Sequence, residues 1–178
     1  MGATTQRPGT DEYAEFYQAY VARVPDGDVV ERMERQAGEV AEFLRGIPAE
    51  LHEHRYAPGK WSVKEVVGHM NDAERIFAYR ALRIARGDRT PLPGWDESLY
   101  VPTGNFGART LESLAGEWAD VRRATVSLFR NLDAEAFARR GTANDNEVSV
   151  RALAFITVGH TDHHLHILRE RYLEADGR

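Results

Sequence analysis

The chain contains no cysteine among its 178 residues, and no apolar run in it approaches the twenty or so residues of a membrane span. The lack of cysteine excludes disulfides, thiolate metal ligands and a cysteine nucleophile supplied by the chain. The first ten residues are polar and lack the apolar core of a signal peptide. We therefore expect a cytoplasmic protein that does not bind a membrane.

Positive charge is also scarce, because 23 Lys and Arg residues face 28 Asp and Glu residues, for a net charge of -5. Nucleic-acid binding requires a concentrated basic surface, so we expect no nucleic-acid partner. The 42% of hydrophobic and 29% of charged residues are typical of a globular chain, and the length favours one domain over residues 1–178.

Apolar residues in the sequence recur mainly with the period of an α-helix. Apolar residues recur every three or four positions, and the predicted helices cover residues 12–24, 29–46, 62–87, 111–131 and 149–173. The last four are long and amphipathic, and no segment alternates with strand period. We therefore predict an all-α fold, a four-helix bundle.

Two stretches interrupt the helices. Residues 88–108 form a long loop with three prolines, and residues 139–148 read as a polar turn region. A loop as long as the first is uncommon in a compact domain and often covers a site. It also suggests a long connection that crosses the bundle.

Two histidines occupy the apolar face of the last helix. His160 and His164 lie one turn apart in line with Leu153, Thr157 and Ile167, so both should point inward. A buried imidazole must satisfy both of its ring nitrogens, and a shared divalent ion would explain the pair. A single inward histidine, however, is more often a hydrogen-bonded core residue than a ligand.

His69 on the second long helix, beside the apolar stripe, offers a third ligand. If the two helices are neighbours, His69, His160 and His164 could bind one ion and leave positions open for exchangeable ligands. Zinc, nickel, iron and copper suit nitrogen ligands about equally well, so the sequence does not choose the metal.

Other side chains could support such a site. Asp72 could orient a ligand histidine or accept a proton, although it could equally belong to a solvated ion pair. We expect His163 to line the pocket or support a ligand, and His52, His54 and His166 to lie on the surface or in loops. Three aromatic residues could line the pocket mouth, or could be packing anchors instead: Trp61, Trp95 and Tyr100.

Arginines recur along the second long helix at positions 75, 80, 83 and 86. One of them could meet an anionic group of a substrate. Ion pairs with acidic neighbours are the commoner fate of such residues, and we expect that for most of them.

Three runs resemble the DinB-like family: YAPGKWSVKEVVGHMNDAERIFAYR at residues 56–80, RGDRTPLPG at 86–94 and SVRALAFITVGHTDHH at 149–164. The resemblance spans about residues 10–173. It implies a four-helix bundle with a crossing connection, often a homodimer, whose metal ligands map to His69, His160 and His164.

The resemblance also implies an enzyme. Characterised relatives include transferases that join low-molecular-weight thiols to electrophiles, so our first hypothesis is a metal-dependent transferase. Its thiol would attack an electrophile held under the proline-rich loop. A chain without cysteine is compatible with an external thiol. The alternatives are a hydrolase that uses metal-activated water and a non-enzymatic stress-response protein with a structural metal.

Overall fold

The fold is an all-α four-helix bundle with one small β-hairpin. The computed structural model describes residues 6–173. Within them, no helix has the length and apolarity needed to cross a membrane. In chain order the elements are α1 (Gln18–Val21), α2 (Val29–Arg45), α3 (Val63–Ala85), α4 (Glu97–Thr103), α5 (Leu111–Arg130), α6 (Ala134–Ala138), β1 (Arg140–Ala143), β2 (Asn146–Ser149) and α7 (Val150–Ile167).

Shorter turns complete the chain. Single 3₁₀ turns occur at Thr10–Glu12, Glu15–Tyr17, Ala49–Leu51 and Phe106–Ala108, and a π-helical segment over Leu168–Leu173 extends α7. The four long helices α2, α3, α5 and α7 form the bundle that the sequence predicts.

The order of the long helices around the bundle is unusual. Helix α3 packs against α5 and α7, and α2 packs against the same two helices. Within the described residues, α2 and α3 are therefore diagonal partners, as are α5 and α7. The crossing connections are those over residues 46–62 and 131–149. Placing the crossing at residues 88–108 was wrong, because that loop joins α3 to α5, which are packed neighbours.

Local capping sets where the site helices begin. Ser62 accepts a hydrogen bond from the backbone amide of Glu65 at 3.3 Å, and the Glu65 carboxylate accepts one from the Ser62 amide at 2.7 Å. Ser149 accepts from the Ala152 amide at 2.9 Å at the start of α7. These caps satisfy amides that have no partner within the helix.

The first predicted helix is only partly formed. Residues 12–24 contain 3₁₀ turns and the four-residue α1 instead of one continuous helix. Glu12 is buried and bonds to Ser149 and Arg151, and the backbone at Tyr13 is extended. A short isolated helix is marginally stable, so these tertiary contacts decide the conformation here.

The two interrupting stretches also contain structure that the sequence reading did not predict. Residues 140–149 form an antiparallel hairpin, with Asn144 and Asp145 both at positive φ in its two-residue turn. In the proline-rich loop, Asp96 caps α4, which lies against α3.

A polar layer divides the core of the bundle. The apolar cluster around Phe77, Phe129 and Phe155 and the cluster around Met70 and Trp118 fill its two ends. On each long helix, buried polar residues lie close to where the two clusters meet: Gln36 on α2, Glu74 on α3, Arg122 on α5, and His160, Thr161 and His164 on α7.

Candidate metal centre

Three imidazoles converge in this polar layer. The Nε2 atom of His160 lies 3.0 Å from Nε2 of His69 and 3.1 Å from Nε2 of His164. One ligand nitrogen from each of the three lies within 4.8 Å of the others, and all three side chains are buried. We call His69, His160 and His164 the histidine triad.

Hydrogen bonding alone does not account for both of these contacts. A neutral imidazole carries one proton, so Nε2 of His160 can act as donor or as acceptor, but not as both. Two nitrogens that bind the same zinc ion at about 2.1 Å lie about 3.4 Å apart in tetrahedral geometry. The two spacings from His160, 3.0 and 3.1 Å, are close to that value, and the three ligand atoms lie within 4.8 Å of one another, so the residues fit a divalent ion.

Burial keeps the triad neutral. It lowers the pKa of His69 to about 4, with the His163 charge adding to the effect. Burial, followed by the neighbouring imidazoles, holds the pKa values of His160 and His164 well below the ordinary value. Neutral imidazoles are the form that binds metal, so the lone pairs are available at neutral pH.

We expect the metal-free protein to lose stability as the pH falls from about 7 to about 4. An unfolded histidine takes up a proton near pH 6.5, whereas native His69 does so only near pH 4. The unfolded state therefore binds more protons in this window, and the free energy of unfolding falls with pH, by about 3 kcal/mol for His69 alone.

Urea unfolding between pH 4 and pH 7 measures this loss. Because glutamine does not titrate, the His69→Gln variant should lose about 3 kcal/mol less over that range. Equal losses in the two proteins would contradict the assignment.

Aromatic rings enclose the triad. The His69 ring lies 5.5 Å from Trp95 in a stacked arrangement and 4.8 Å from Trp61, as centroid distances. The Tyr20 ring meets His160 edge-on at 5.5 Å. Apolar rings around the triad limit the access of water, which would strengthen the electrostatic interactions of an ion bound there.

Close backbone packing holds Tyr20 there. A Cβ atom on Gly159 of α7 would lie 2.0 Å from the carbonyl oxygen of Tyr20, so only glycine permits this approach. The N-terminal segment therefore lies directly over the site.

A cavity of about 180 Å³ opens beside the triad. His69 and His160 form one part of its wall, and Trp95 of the proline-rich loop forms another. The loop thus lines the space next to the histidines, as its length suggests. The other lining residues are Phe16, Tyr17, Tyr20, Phe77, Arg80, Glu97 and Asn144.

The remaining predicted site residues take different positions. Tyr100 contacts Trp95 at a centroid distance of 5.3 Å and is largely exposed. His163 is half-buried and packs on Tyr20 and on His164. Both lie one layer out from the triad.

Asp72 is not brought to the triad. Its charged neighbours are Arg75 and Glu117, and no hydrogen bond within residues 6–173 joins it to a histidine. Burial raises the pKa of this carboxyl group. The structure thus gives no support to Asp72 as orienting group or proton acceptor.

The sequence reading did not select several residues that line the cavity. Tyr17 and Tyr20 come from a segment that it read as one helix, and Asn144 lies in the unpredicted hairpin turn. The position of Phe77 could have been predicted, because it lies about two turns after His69 on α3 and therefore on the same side of the helix. No sequence pattern pointed to Glu97, which lies in the proline-rich loop.

A buried ion pair anchors the helices around the triad. Arg122 is fully buried and donates to Glu74 at 2.6 and 2.7 Å, to Thr161 at 3.0 Å and to Gln36. Gln36 in turn donates to Asp162 at 2.7 Å. All four long helices are therefore linked at the level of His160.

A comparison with known families identifies the family of this chain. The model of the DinB superfamily matches residues 32–168, which is most of the chain. The chain belongs to the DinB superfamily. A search of curated proteins found no sequence that matches this chain.

Solved structures with the same fold include two proteins of Bacillus subtilis. YfiT, described as "a probable metal-dependent hydrolase with an unusual four-helix bundle topology", has a TM-score of 0.68 and 16% identity, covering 90% of this chain and 87% of YfiT. The DinB-like protein YjoA has a TM-score of 0.56 and 20% identity, covering 84% of this chain and 92% of YjoA. These likenesses confirm the fold of this DinB superfamily member.

Proposed function

We propose that this chain is a divalent-metal-dependent enzyme that joins a low-molecular-weight thiol to an electrophilic small molecule. One observation carries the proposal: three neutral histidine nitrogens converge beside a cavity of small-molecule size. Three protein ligands leave a coordination position for an exchangeable ligand, which is typical of reactive sites.

The chain's own residues have defined parts in this proposal. His69, His160 and His164 would hold the ion, and a bound divalent ion lowers the pKa of a thiol that coordinates it. Trp61 and Trp95 pack on His69 and keep water from it. The cavity wall then positions the electrophile near the histidines.

A thiol suits this site better than water does. Within residues 6–173, no carboxylate is hydrogen-bonded to the triad, and Glu97, which lines the cavity, is exposed, so no buried carboxylate is positioned there as a general base. A free thiol has a pKa of about 8.5, whereas that of water is about 15.7, so the thiol needs less help to lose its proton.

Hydrolysis is the second candidate, and the description of YfiT as a probable metal-dependent hydrolase favours it. The same histidines would then hold an ion that activates water. The non-enzymatic alternative is a stress-response protein with a structural metal. Structural zinc sites normally have four protein ligands, whereas the candidate ligand group found among residues 6–173 has three. A homodimer and a cytoplasmic location stay predictions from the sequence.

Loading the protein separately with zinc, nickel and iron, followed by assays with a model electrophile, tests the proposal. We expect about one ion per chain by elemental analysis, and a conjugate that forms only when a thiol such as cysteine or glutathione is supplied. The apoprotein and heat-inactivated protein serve as controls.

The outcomes separate the candidates. Ester cleavage without thiol would favour the hydrolase. A bound ion that raises the melting temperature but supports no turnover of either kind would favour the structural role. Thiol conjugation at full rate in the metal-free protein would overturn the metal-dependent mechanism.

A further inference from the structure

Arg80 is an unusual arginine in this molecule. Its side chain is only 3% exposed, and it lines the cavity beside the triad. Arg75 and Arg83 on the same helix form ion pairs with Glu117 and Asp88, as the sequence led us to expect. Among the residues that the structure describes, none forms an ion pair with Arg80.

A comparison with Arg122 shows why the missing ion pair of Arg80 is important. Both guanidinium groups are buried, but Arg122 has the carboxylate of Glu74 at 2.6 and 2.7 Å. A buried charge without a counter-charge is costly, and proteins rarely keep one without a use. The positive charge of Arg80 is therefore available to an anion that enters the cavity.

The guanidinium is held in place by neutral groups. One of its terminal nitrogens donates to the carbonyl oxygen of Pro93 at 2.8 Å. The Tyr17 hydroxyl lies beside it, and the guanidinium acts to lower the pKa of that phenol against the larger raising effect of burial. These contacts orient the group while leaving its charge uncompensated. Arginine has five N–H donors in a planar fork that matches a carboxylate.

One carboxylate shares the cavity, and its position limits its effect. Glu97 is exposed at the start of α4 and acts electrostatically on Tyr17 and Tyr20. It makes no ion pair with Arg80. Solvent screens an exposed charge of this kind much more than a buried one.

Arg80 and His69 line the same cavity from positions about three helical turns apart on α3. Their residue numbers differ by eleven, which corresponds to about 16 Å between their Cα atoms along the helix. Phe77 lies between them on the cavity wall and meets His160 edge-on at 5.5 Å. A ligand that reaches both ends must be extended and have an apolar middle.

We infer that Arg80 is a substrate-binding residue that receives the carboxylate of an extended small molecule whose reactive end lies at the histidine triad. The inference rests on the proposed function for the position of the reactive end. The carboxylate site itself depends only on Arg80 and the cavity. The carboxylate belongs either to the thiol or to the electrophile.

The first test uses metal-free protein and therefore does not depend on the proposed function. Isothermal titration should show that wild-type protein binds octanoate about ten- to a hundredfold more tightly than octan-1-ol. The Arg80→Gln variant should lose this preference. The matched control Glu97→Gln, which removes the other charge of the cavity, should keep the preference or strengthen it.

Either of two results would overturn the inference: equal binding of octanoate and octan-1-ol by wild-type protein, or an unchanged preference in a folded Arg80→Gln variant. If that variant does not fold by circular dichroism, Arg80→Lys replaces it. Lysine keeps the charge without the planar fork, so octanoate affinity should fall while a preference for the carboxylate remains. Unchanged octanoate affinity in Arg80→Lys would overturn the inference as well.

A second test determines whether the carboxylate bound by Arg80 belongs to the thiol or to the electrophile. Zinc-loaded protein is titrated with ω-mercaptoalkanoates of increasing chain length and with their methyl esters. An affinity maximum at one length for the acids, absent for the esters and absent in Arg80→Gln, assigns the carboxylate to the thiol.

A preference for octanoate without such a maximum assigns the carboxylate to the electrophile. Failure of zinc to bind would overturn the proposed function and leave the octanoate result standing.

Discussion

Replacing His160 with alanine is expected to abolish metal binding and all metal-dependent turnover. His160 is the central member of the triad, because its Nε2 atom lies 3.0 Å from that of His69 and 3.1 Å from that of His164. Removal of groups that merely orient a ligand costs 10–100-fold in metal affinity, so loss of a ligand should cost more than about 100-fold. Elemental analysis and zinc titration measure the change.

His163→Ala is the matched control for this variant. His163 lies on the same helix and packs on His164, but it is only half-buried and is not part of the triad. We expect it to retain one ion per chain. If His160→Ala kept wild-type zinc affinity, or if His163→Ala lost the ion while His160→Ala kept it, the assignment of the ligands would be wrong.

Replacing Glu74 with alanine is expected to lower the free energy of unfolding by about 3–5 kcal/mol. The change leaves the guanidinium of Arg122 fully buried without its two bonds to the carboxylate. The hydrogen bonds from Arg122 to Gln36 and Thr161 cannot replace the lost counter-charge. Chemical denaturation followed by circular dichroism measures the effect.

Two comparisons separate the charge from the loss of packing. The double variant Glu74→Leu with Arg122→Met removes both charges and should recover most of the lost stability. Asp120→Ala breaks an exposed pair with Arg123 and should leave stability unchanged within error. If the double variant were as unstable as Glu74→Ala, packing and not the unpaired charge would explain the loss.

Much of the fold follows from short-range pattern in the sequence. The apolar period of α2, α3, α5 and α7 and the caps at Ser62 and Ser149 depend on residues within one or two turns of each other. The inward direction of His160 and His164 follows from the same geometry. The four long helices are therefore placed to within a few residues of their observed ends.

Where the sequence reading failed, contacts between distant segments decided the outcome. Glu12 bonds to Ser149 and Arg151, which keeps residues 12–24 from forming one helix and places Tyr17 and Tyr20 over the cavity. Asp72 shares its helix with His69 but lies among the charges of Arg75 and Glu117.

The sequence by itself determined that His160 and His164 point inward from the last helix and that His69 lies beside the apolar stripe of a second helix, because side-chain direction along a helix is set by its local geometry. Only the tertiary structure decided that α3 and α7 are neighbours, that the triad closes to within 4.8 Å, and that Arg80 lines the same cavity with no ion pair to a carboxylate among residues 6–173. The order of helices around a bundle depends on the packing of whole faces and on their connections, and no local pattern in the chain encodes it.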